Sequence, residues 1–337
     1  MTARCSGCAE PVGVADRFCE ACGHELAATR IALPHNDSGP THPCDNCGGS
    51  RYDADGYCVG CGQLRAAPDR FAADLGAVAV VTDRGISHAR NEDSVAAIVL
   101  EGATVIAVCD GVSTSEDPQA ASGAAARAGV EASRGALAEG MSADEAAMAG
   151  LAAAAQAVRE TAGPDGQAPS CTYVGAIVRG DGDAVQITVA NVGDSRAYWL
   201  QTGPDHAGNA PSQRLSVDDS WAQALVDAGA MDEQAAMNDP RAHTLIRWLG
   251  ADSGPTPWSD TCVRTLRTAG PGLLLLCSDG LWNYQPDAAA LAAMAAAPTP
   301  LLGAHELVEF AIRSGGSDNI TVALAPVPWF TEPGEVQ

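Results

Sequence analysis

Gly272-Leu-Leu-Leu-Leu-Cys-Ser-Asp279-Gly280 reads as a short apolar strand that ends on a carboxylate. Thr104-Val-Ile-Ala-Val-Cys-Asp110-Gly111 repeats the arrangement. Two further segments place the acid at the start of a strand. Arg90-Asn-Glu-Asp-Ser94 leads into the apolar run 95–100, and Gly315-Gly-Ser-Asp318 leads into Asn-Ile-Thr-Val-Ala-Leu. A lone Asp-Gly is a common turn. Four strand ends that each carry an acid, usually with glycine nearby, can deliver hard oxygen ligands to one point. Glycine also lets a backbone carbonyl join them. Carboxylates gathered without cations would repel one another. An all-oxygen set suits Mg2+ or Mn2+ rather than Zn2+. The expectation is a divalent, binuclear site.

The composition narrows the classes. The chain has 337 residues, 42 acids and 19 cations, all of them arginine, for a formal charge of −23. Such a chain is a poor partner for nucleic-acid phosphates or an anionic membrane surface. With 46% hydrophobic residues it can bury a core, so disorder is not expected. Only 4% are aromatic, which leaves aliphatic and alanine packing to build the interior. The longest apolar run, 288–297, is mostly alanine and about half the ~20 residues of a membrane span. The first residues lack the apolar core of a signal peptide. The reading is therefore cytoplasmic, with cysteines reduced or holding metal.

Eight of the twelve cysteines form four C-x-x-C pairs: Cys5/Cys8, Cys19/Cys22, Cys44/Cys47 and Cys58/Cys61. The pattern C-x2-C-x10-C-x2-C occurs twice at an offset of 39, and Phe18-Cys-Glu-Ala-Cys-Gly matches Tyr57-Cys-Val-Gly-Cys-Gly. Two thiolates at i and i+3 on a tight turn face one centre, and a second turn completes a tetrahedron. The expectation is two structural Zn2+ ions, each held by four thiolates and so without an open catalytic position. Disulfides are disfavoured by compartment. A rubredoxin-like iron stays open on spacing, as does interleaving of the two halves. Residues 1–66 carry five arginines against eight acids, so a protein partner fits this region better than nucleic acid. The segment 27–43 reads as an irregular connection between the ribbons.

After residue 75 a series of motifs runs in order. They are Asp83-Arg-Gly-Ile-Ser-His-Ala-Arg-Asn-Glu-Asp-Ser94, Val108-Cys-Asp-Gly111, Ser170-Cys-Thr172 and Ala190-Asn-Val-Gly-Asp-Ser-Arg-Ala-Tyr198. Leu215-Ser-Val-Asp-Asp-Ser220, the run 274–283 and Gly315-Gly-Ser-Asp-Asn-Ile-Thr-Val322 follow. Over roughly 75–327 the chain resembles the metal-dependent protein phosphatases, the PPM or protein phosphatase 2C type. The resemblance implies an α+β fold, a four-layer α-β-β-α sandwich of two antiparallel sheets, here preceded by a small Cys-rich double zinc ribbon. The expected organisation is 1–66 double ribbon, 67–75 linker, 76–327 catalytic domain and 328–337 tail. Helices are expected at about 118–138, 143–162, 287–297 and 303–314. Cys109, Cys171, Cys262 and Cys277 are read as small core residues.

The resemblance also implies roles. Asp93 and Asp110 match metal-ligand positions, with Asp110 bridging two Mn2+ or Mg2+ ions and Gly111 acting through its carbonyl. Asp279 and Asp318 match ligands of the other ion, and Glu92 acts in the outer shell. Hydroxide bound at such a centre would hydrolyse phosphoserine and phosphothreonine in proteins, the products of a Ser/Thr kinase. The sequence departs from the family pattern in places. His88 stands where an arginine usually clamps the phosphate, and Arg90 or Arg84 would have to replace it. Val112-Ser-Thr-Ser-Glu replaces the usual Gly-Gly after the Asp-Gly turn. No leaving-group acid is evident. Asp194, Arg196 and Arg247 are read as scaffold. These departures keep an alternative in view, a regulatory pseudophosphatase or phosphoprotein-binding adaptor.

Overall fold

In the computed structural model, the described residues are 3–4, 8, 10–12, 18–23, 28–34, 47–51, 58–62, 69–163, 168–203 and 208–327. The chain begins with a small ribbon, β1 (Ala3–Arg4) paired with β2 (Pro11–Val12). Then come β3 (Thr29–Leu33), β4 (Arg70–Asp74), β5 (Ala79–Asp83), β6 (Ser94–Leu100) and β7 (Ala103–Cys109). Helices α1 (Pro118–Ala138) and α2 (Ala143–Arg159) follow, and then β8 (Ser170–Cys171), β9 (Tyr173–Asp181), β10 (Ala184–Val192), β11 (Arg196–Gln201) and β12 (Gln213–Arg214). A flap carries α3 (Trp221–Asp227), α4 (Glu233–Met237) and β13 (Leu249–Gly250). The last part holds β14 (Val263–Thr268), β15 (Gly272–Cys277), α5 (Asp279–Trp282), α6 (Ala288–Ala295), α7 (Pro300–Arg313) and β16 (Ile320–Val327).

Two six-stranded antiparallel sheets result, in the orders β14-β10-β9-β7-β6-β3 and β12-β11-β15-β16-β5-β4. Period-2 alternation explains the layers. Along β6, Val95 and Ala97 face the inter-sheet core while Ala96 and Ile98 face the helices. Along β15, Leu274 and Leu276 point inward, and Leu275 and Cys277 meet the opposite helical layer. Helices α1 and α2 cover the first sheet, and α5, α6 and α7 cover the second. The expected four-layer sandwich is the observed one.

The alanine-rich interior decides how the helices pack. On α2 the buried positions Ala143, Ala146, Ala147, Gly150, Leu151, Ala154 and Val158 recur at helical spacing. Ser142 caps its N-terminus, accepting from the Glu145 N–H at 3.2 Å, and the Glu145 carboxylate accepts from the Ser142 N–H at 2.9 Å. A side chain at Gly150 would strike Ser133 and the Gly129 carbonyl of α1, so the two helices sit closer than larger residues would allow. The predicted helices fall in place, α7 starting earlier at Pro300 because Thr299 accepts from the Leu302 N–H. Cys109, Cys171, Cys262 and Cys277 are buried in the core as expected.

Two segments read as connections are strands. Residues 29–33, placed between the ribbons, pair with β6 as the edge of the first sheet, Leu33 opposite Val95. Residues 70–74, placed in the 67–75 linker, pair with β5 as the edge of the second sheet. Both are short and half-exposed, and long-range pairing supplies the order that local sequence does not.

Candidate active site

The four strand-end acids come from both sheets. Asp93 precedes β6 and Asp110 follows β7 in the first sheet; Asp279 follows β15 and Asp318 precedes β16 in the second. They meet at one end of the sandwich, where Asp110, Asp279 and Asp318 line a cavity of about 490 Å3 with the Gly111 backbone. Asp93 lies behind them with no exposed surface. Its Oδ2 accepts from the Ser278 hydroxyl at 2.6 Å, and its Oδ1 has no hydrogen-bond partner among the described residues. Asp279 likewise holds one buried oxygen without a partner, while its Oδ2 accepts from Asn283 at 3.0 Å.

Crowding of these groups has an electrostatic signature. Burial pushes the Asp93 carboxyl up to about 7, with the charges of Asp318 and Asp279 adding to it. Burial and Asp318 push Asp279 up to about 6. Asp110 is raised well above the carboxylate range by burial and by Asp93, Asp279 and Asp318. A cluster that resists ionisation this way is poised to exchange protons for cations.

The surrounding motif residues hold the acids in place. Asn319 donates to the carbonyls of Arg84 and Arg90 at 2.8 and 2.9 Å, and its Oδ1 accepts from the Glu92 N–H at 2.7 Å. One amide thus ties the Asp93 loop to the Asp318 loop. The Thr172 hydroxyl accepts from the Asp110 N–H at 3.0 Å, and the Thr172 N–H reaches the Asp110 carbonyl at 2.8 Å. A side chain at Gly280 would strike the Asn319 carbonyl, so glycine there lets the two loops touch. A Cβ at Gly111 would lie 2.7 Å from the Glu92 carbonyl and 2.9 Å from Pro118.

Glu92 lies beside the cluster and accepts from the Ser113 hydroxyl at 2.5 Å. His88 does not stand free as a phosphate clamp: its Nε2 is 3.2 Å from Asp318 Oδ1. Arg90 is exposed. Arg84 pairs with Asp69 at 3.3 Å. Arg196 and Arg247 are scaffold as read: Arg196 is buried in a bidentate pair with Asp218, and Arg247 holds Asp219 at 2.8 Å.

Five cavity residues were not read from the sequence as site residues: Asp194 and, on the flap, His243, Thr244, Leu245 and Trp248. Asp194 was read as scaffold, yet it lines the cavity, and burial together with Asp279 raises its carboxyl well above the usual range. The signal was present, because Asp194 lies between β10 and β11, where the chain crosses from one sheet to the other. His243 and Trp248 belong to the flap and reach the site through tertiary packing alone.

The cysteines form two clusters. Cys8, Cys19 and Cys22 bring ligand atoms within 4.8 Å of one another, and so do Cys47, Cys58 and Cys61. Each cluster draws on one half of the repeat, which answers the question of interleaving for these six. Both halves make the same turn: the Gly23 N–H reaches the Cys19 carbonyl at 2.7 Å, and the Gly62 N–H reaches that of Cys58 at 2.8 Å. Cys5 and Cys44 lie outside the described residues.

The fold is similar to that of solved PPM Ser/Thr phosphatases. No protein-family model matches the chain. It is 32% identical over 252 residues to the Serine/threonine protein phosphatase PstP of Mycobacterium tuberculosis, covering 73% of this chain and 44% of that protein. The PPM Ser-Thr phosphatase MsPP of Mycobacterium smegmatis, solved with cacodylate, aligns at 28% identity and a TM-score of 0.59. That match covers 76% of this chain and all of MsPP. The PstP catalytic domain, solved with two manganese ions, aligns at 26% identity and a TM-score of 0.54, over 74% of this chain and 96% of that one. The chain spans about half the length of the curated relatives it matches. Among the described residues no helix is long and apolar enough to cross a membrane.

Proposed function

We propose that this protein hydrolyses phosphoserine and phosphothreonine in proteins modified by a Ser/Thr kinase. In this reading Asp93, Asp110, the Gly111 carbonyl, Asp279 and Asp318 hold two Mn2+ or Mg2+ ions, with Glu92 in the outer shell. The observation that carries it is the convergence of four carboxylates, two of whose oxygens, Asp93 Oδ1 and Asp279 Oδ1, are buried without a hydrogen-bond partner among the described residues. Buried acceptors are rarely left unpaired, and hard divalent cations are the partners an all-oxygen set suits. Bound there, the ions would lower the pKa of a water molecule and absorb charge spreading over the phosphoryl oxygens.

The rest falls to the chain. Ser278 fixes Asp93, and Ser113 fixes Glu92. His88 orients Asp318, which leaves Arg90 to meet the substrate phosphate. Trp248 and Leu245 on the flap close one apolar wall of the cavity against the substrate chain. Each cysteine trio, completed by Cys5 or Cys44, would hold one structural Zn2+, and the acidic ribbons would dock a protein partner.

The test is phosphate release from a phosphothreonine peptide, with Mn2+ added and then chelated, beside Asp279→Asn. Mn2+-dependent release should fall by about 10³-fold in the variant, the several kcal/mol such charge stabilisation supplies. Peptide binding without turnover in the wild type would favour the regulatory pseudophosphatase, which His88 in place of a clamping guanidinium keeps in view.

A further inference from the structure

Cleaving a serine or threonine phosphate expels an alkoxide, a far more basic leaving group than a phenolate. A proton must therefore reach that oxygen as the P–O bond breaks. The Asp-Gly turn offers Val112, Ser113 and Thr114 at the cavity, and none of these is an acid near neutral pH. The carboxylates proposed to hold ions would be deprotonated by them. Asp194 lines the cavity but is only 5% exposed, with little surface to offer a leaving oxygen. Among the described residues lining the cavity, one imidazole remains, His243.

His243 is well placed for the task. Its ring stacks on Trp282 with centroids 5.7 Å apart and planes 25° from parallel. Trp282 ends the short helix that Asp279 begins, so the imidazole leans on the element that presents a site carboxylate. The Trp282 indole is fixed in turn by a 2.9 Å bond to the Asp194 carbonyl. The flap backbone is pinned on both sides of the histidine: the Ala222 N–H reaches the Ala242 carbonyl at 3.1 Å, and the Trp221 N–H that of Thr244 at 2.8 Å. The side chain itself stays open to solvent, so it can recover a proton after each turnover.

We propose that His243 is the catalytic acid that protonates the leaving oxygen; the proposal rests on the phosphatase reading above. The oxygen of a water molecule forms a bond to phosphorus while the bond from phosphorus to the serine or threonine oxygen breaks. The electron pair of that bond goes to the leaving oxygen, which takes a proton from the His243 imidazolium. The water gives one proton to solvent, and the imidazole regains one from solvent. The products are the free hydroxyl side chain and inorganic phosphate. Partial burial against Trp282 and the nearby Arg196 lower the His243 pKa, which makes its imidazolium the stronger donor.

The experiment compares full-length wild type and His243→Gln, both with Mn2+. The substrates are a phosphothreonine peptide and a series of aryl phosphates of rising leaving-group basicity, from p-nitrophenyl phosphate upward. A lost proton donor costs about 10²-fold or more in kcat on the peptide, shrinking towards p-nitrophenyl phosphate, whose phenolate leaves unaided. The variant's plot of rate against leaving-group basicity should be steeper than the wild type's. A parallel fall on every substrate, or no fall on the peptide, overturns the proposal and leaves the phosphatase reading intact. Absence of Mn2+-dependent hydrolysis of any substrate by the wild type overturns both. His243→Asn repeats the comparison with a second side chain that cannot donate from an imidazolium, and it should show the same steepening.

Discussion

Within 8–22, and again within 47–61, a few residues of chain fold three thiols to within 4.8 Å of one another. At the candidate active site the converging acids are 93, 110, 279 and 318, and both sheets are needed to bring them together. The first kind of site is local and uses soft ligands on tight turns. The second is global and places hard ligands at strand ends, with Asp93 fully buried among them. A local site can form or fail by itself. A global site inherits the stability of the fold and in return burdens it, because buried carboxylates repel until cations arrive.

The two regions nevertheless meet at β3. If they were separable, deleting residues 1–66 would leave the sandwich whole. That deletion removes β3, whose Leu33 is 2% exposed and packs between the sheets opposite Val95. Losing such a leucine costs about 2–5 kcal/mol, which would lower Tm by roughly 5–20 °C in a domain of this size. It also bares β6 as a new edge prone to aggregation. Deleting only 1–27 keeps β3 and should shift Tm by less than about 2 °C. Differential scanning calorimetry of the two truncations decides the matter; equal Tm values would mean that β3 contributes nothing.

The burden on the global site predicts a smaller effect, read by pH. The site carboxyls have folded pKa values above their unfolded ones, about 7 for Asp93 and about 6 for Asp279. The native state then binds more protons than the unfolded chain, so the stability these groups contribute is fully present below the unfolded pKa and is lost as pH rises through the folded ones. Protein freed of divalent ions should melt several degrees higher at pH 5 than at pH 8. Mn2+ should close that gap by replacing the protons, and Asp110→Asn should narrow it without Mn2+. A metal-free protein whose Tm is the same at both pH values would show that the carboxylates do not strain the fold.

The same contrast explains what could be read from the sequence. The cysteine repeat was legible because its geometry is set by spacing alone. The four acids were legible because each abuts its own strand, and the layers followed from alternation such as that along β6. The strand at 29–33 was not legible: its partner lies some sixty residues away, and a half-exposed edge has no strong pattern. Asp194 obeyed the strand-end rule but was hidden inside a motif read as a turn. The pairing of His88 with Asp318 and the seating of His243 on Trp282 depend on loops meeting in space, which no local window encodes.

The smallest expected effect tests the independence of the local sites. Cys58 is buried at the heart of the second cluster, its Sγ 3.5 Å from that of Cys47. Cys58→Ser should lower bound zinc from about two ions per chain to about one, since a hard hydroxyl replaces one of four soft thiolates. A chromogenic chelator titration after thiol blocking would count them. The main melting transition should move by less than about 2 °C, because the knuckle is held by its own turn and the sandwich by its three cores. Mn2+-dependent phosphate release should be unchanged. A large fall in Tm would mean that the second knuckle braces the sandwich, and the division into a local and a global site would then have to be abandoned in favour of one cooperative unit.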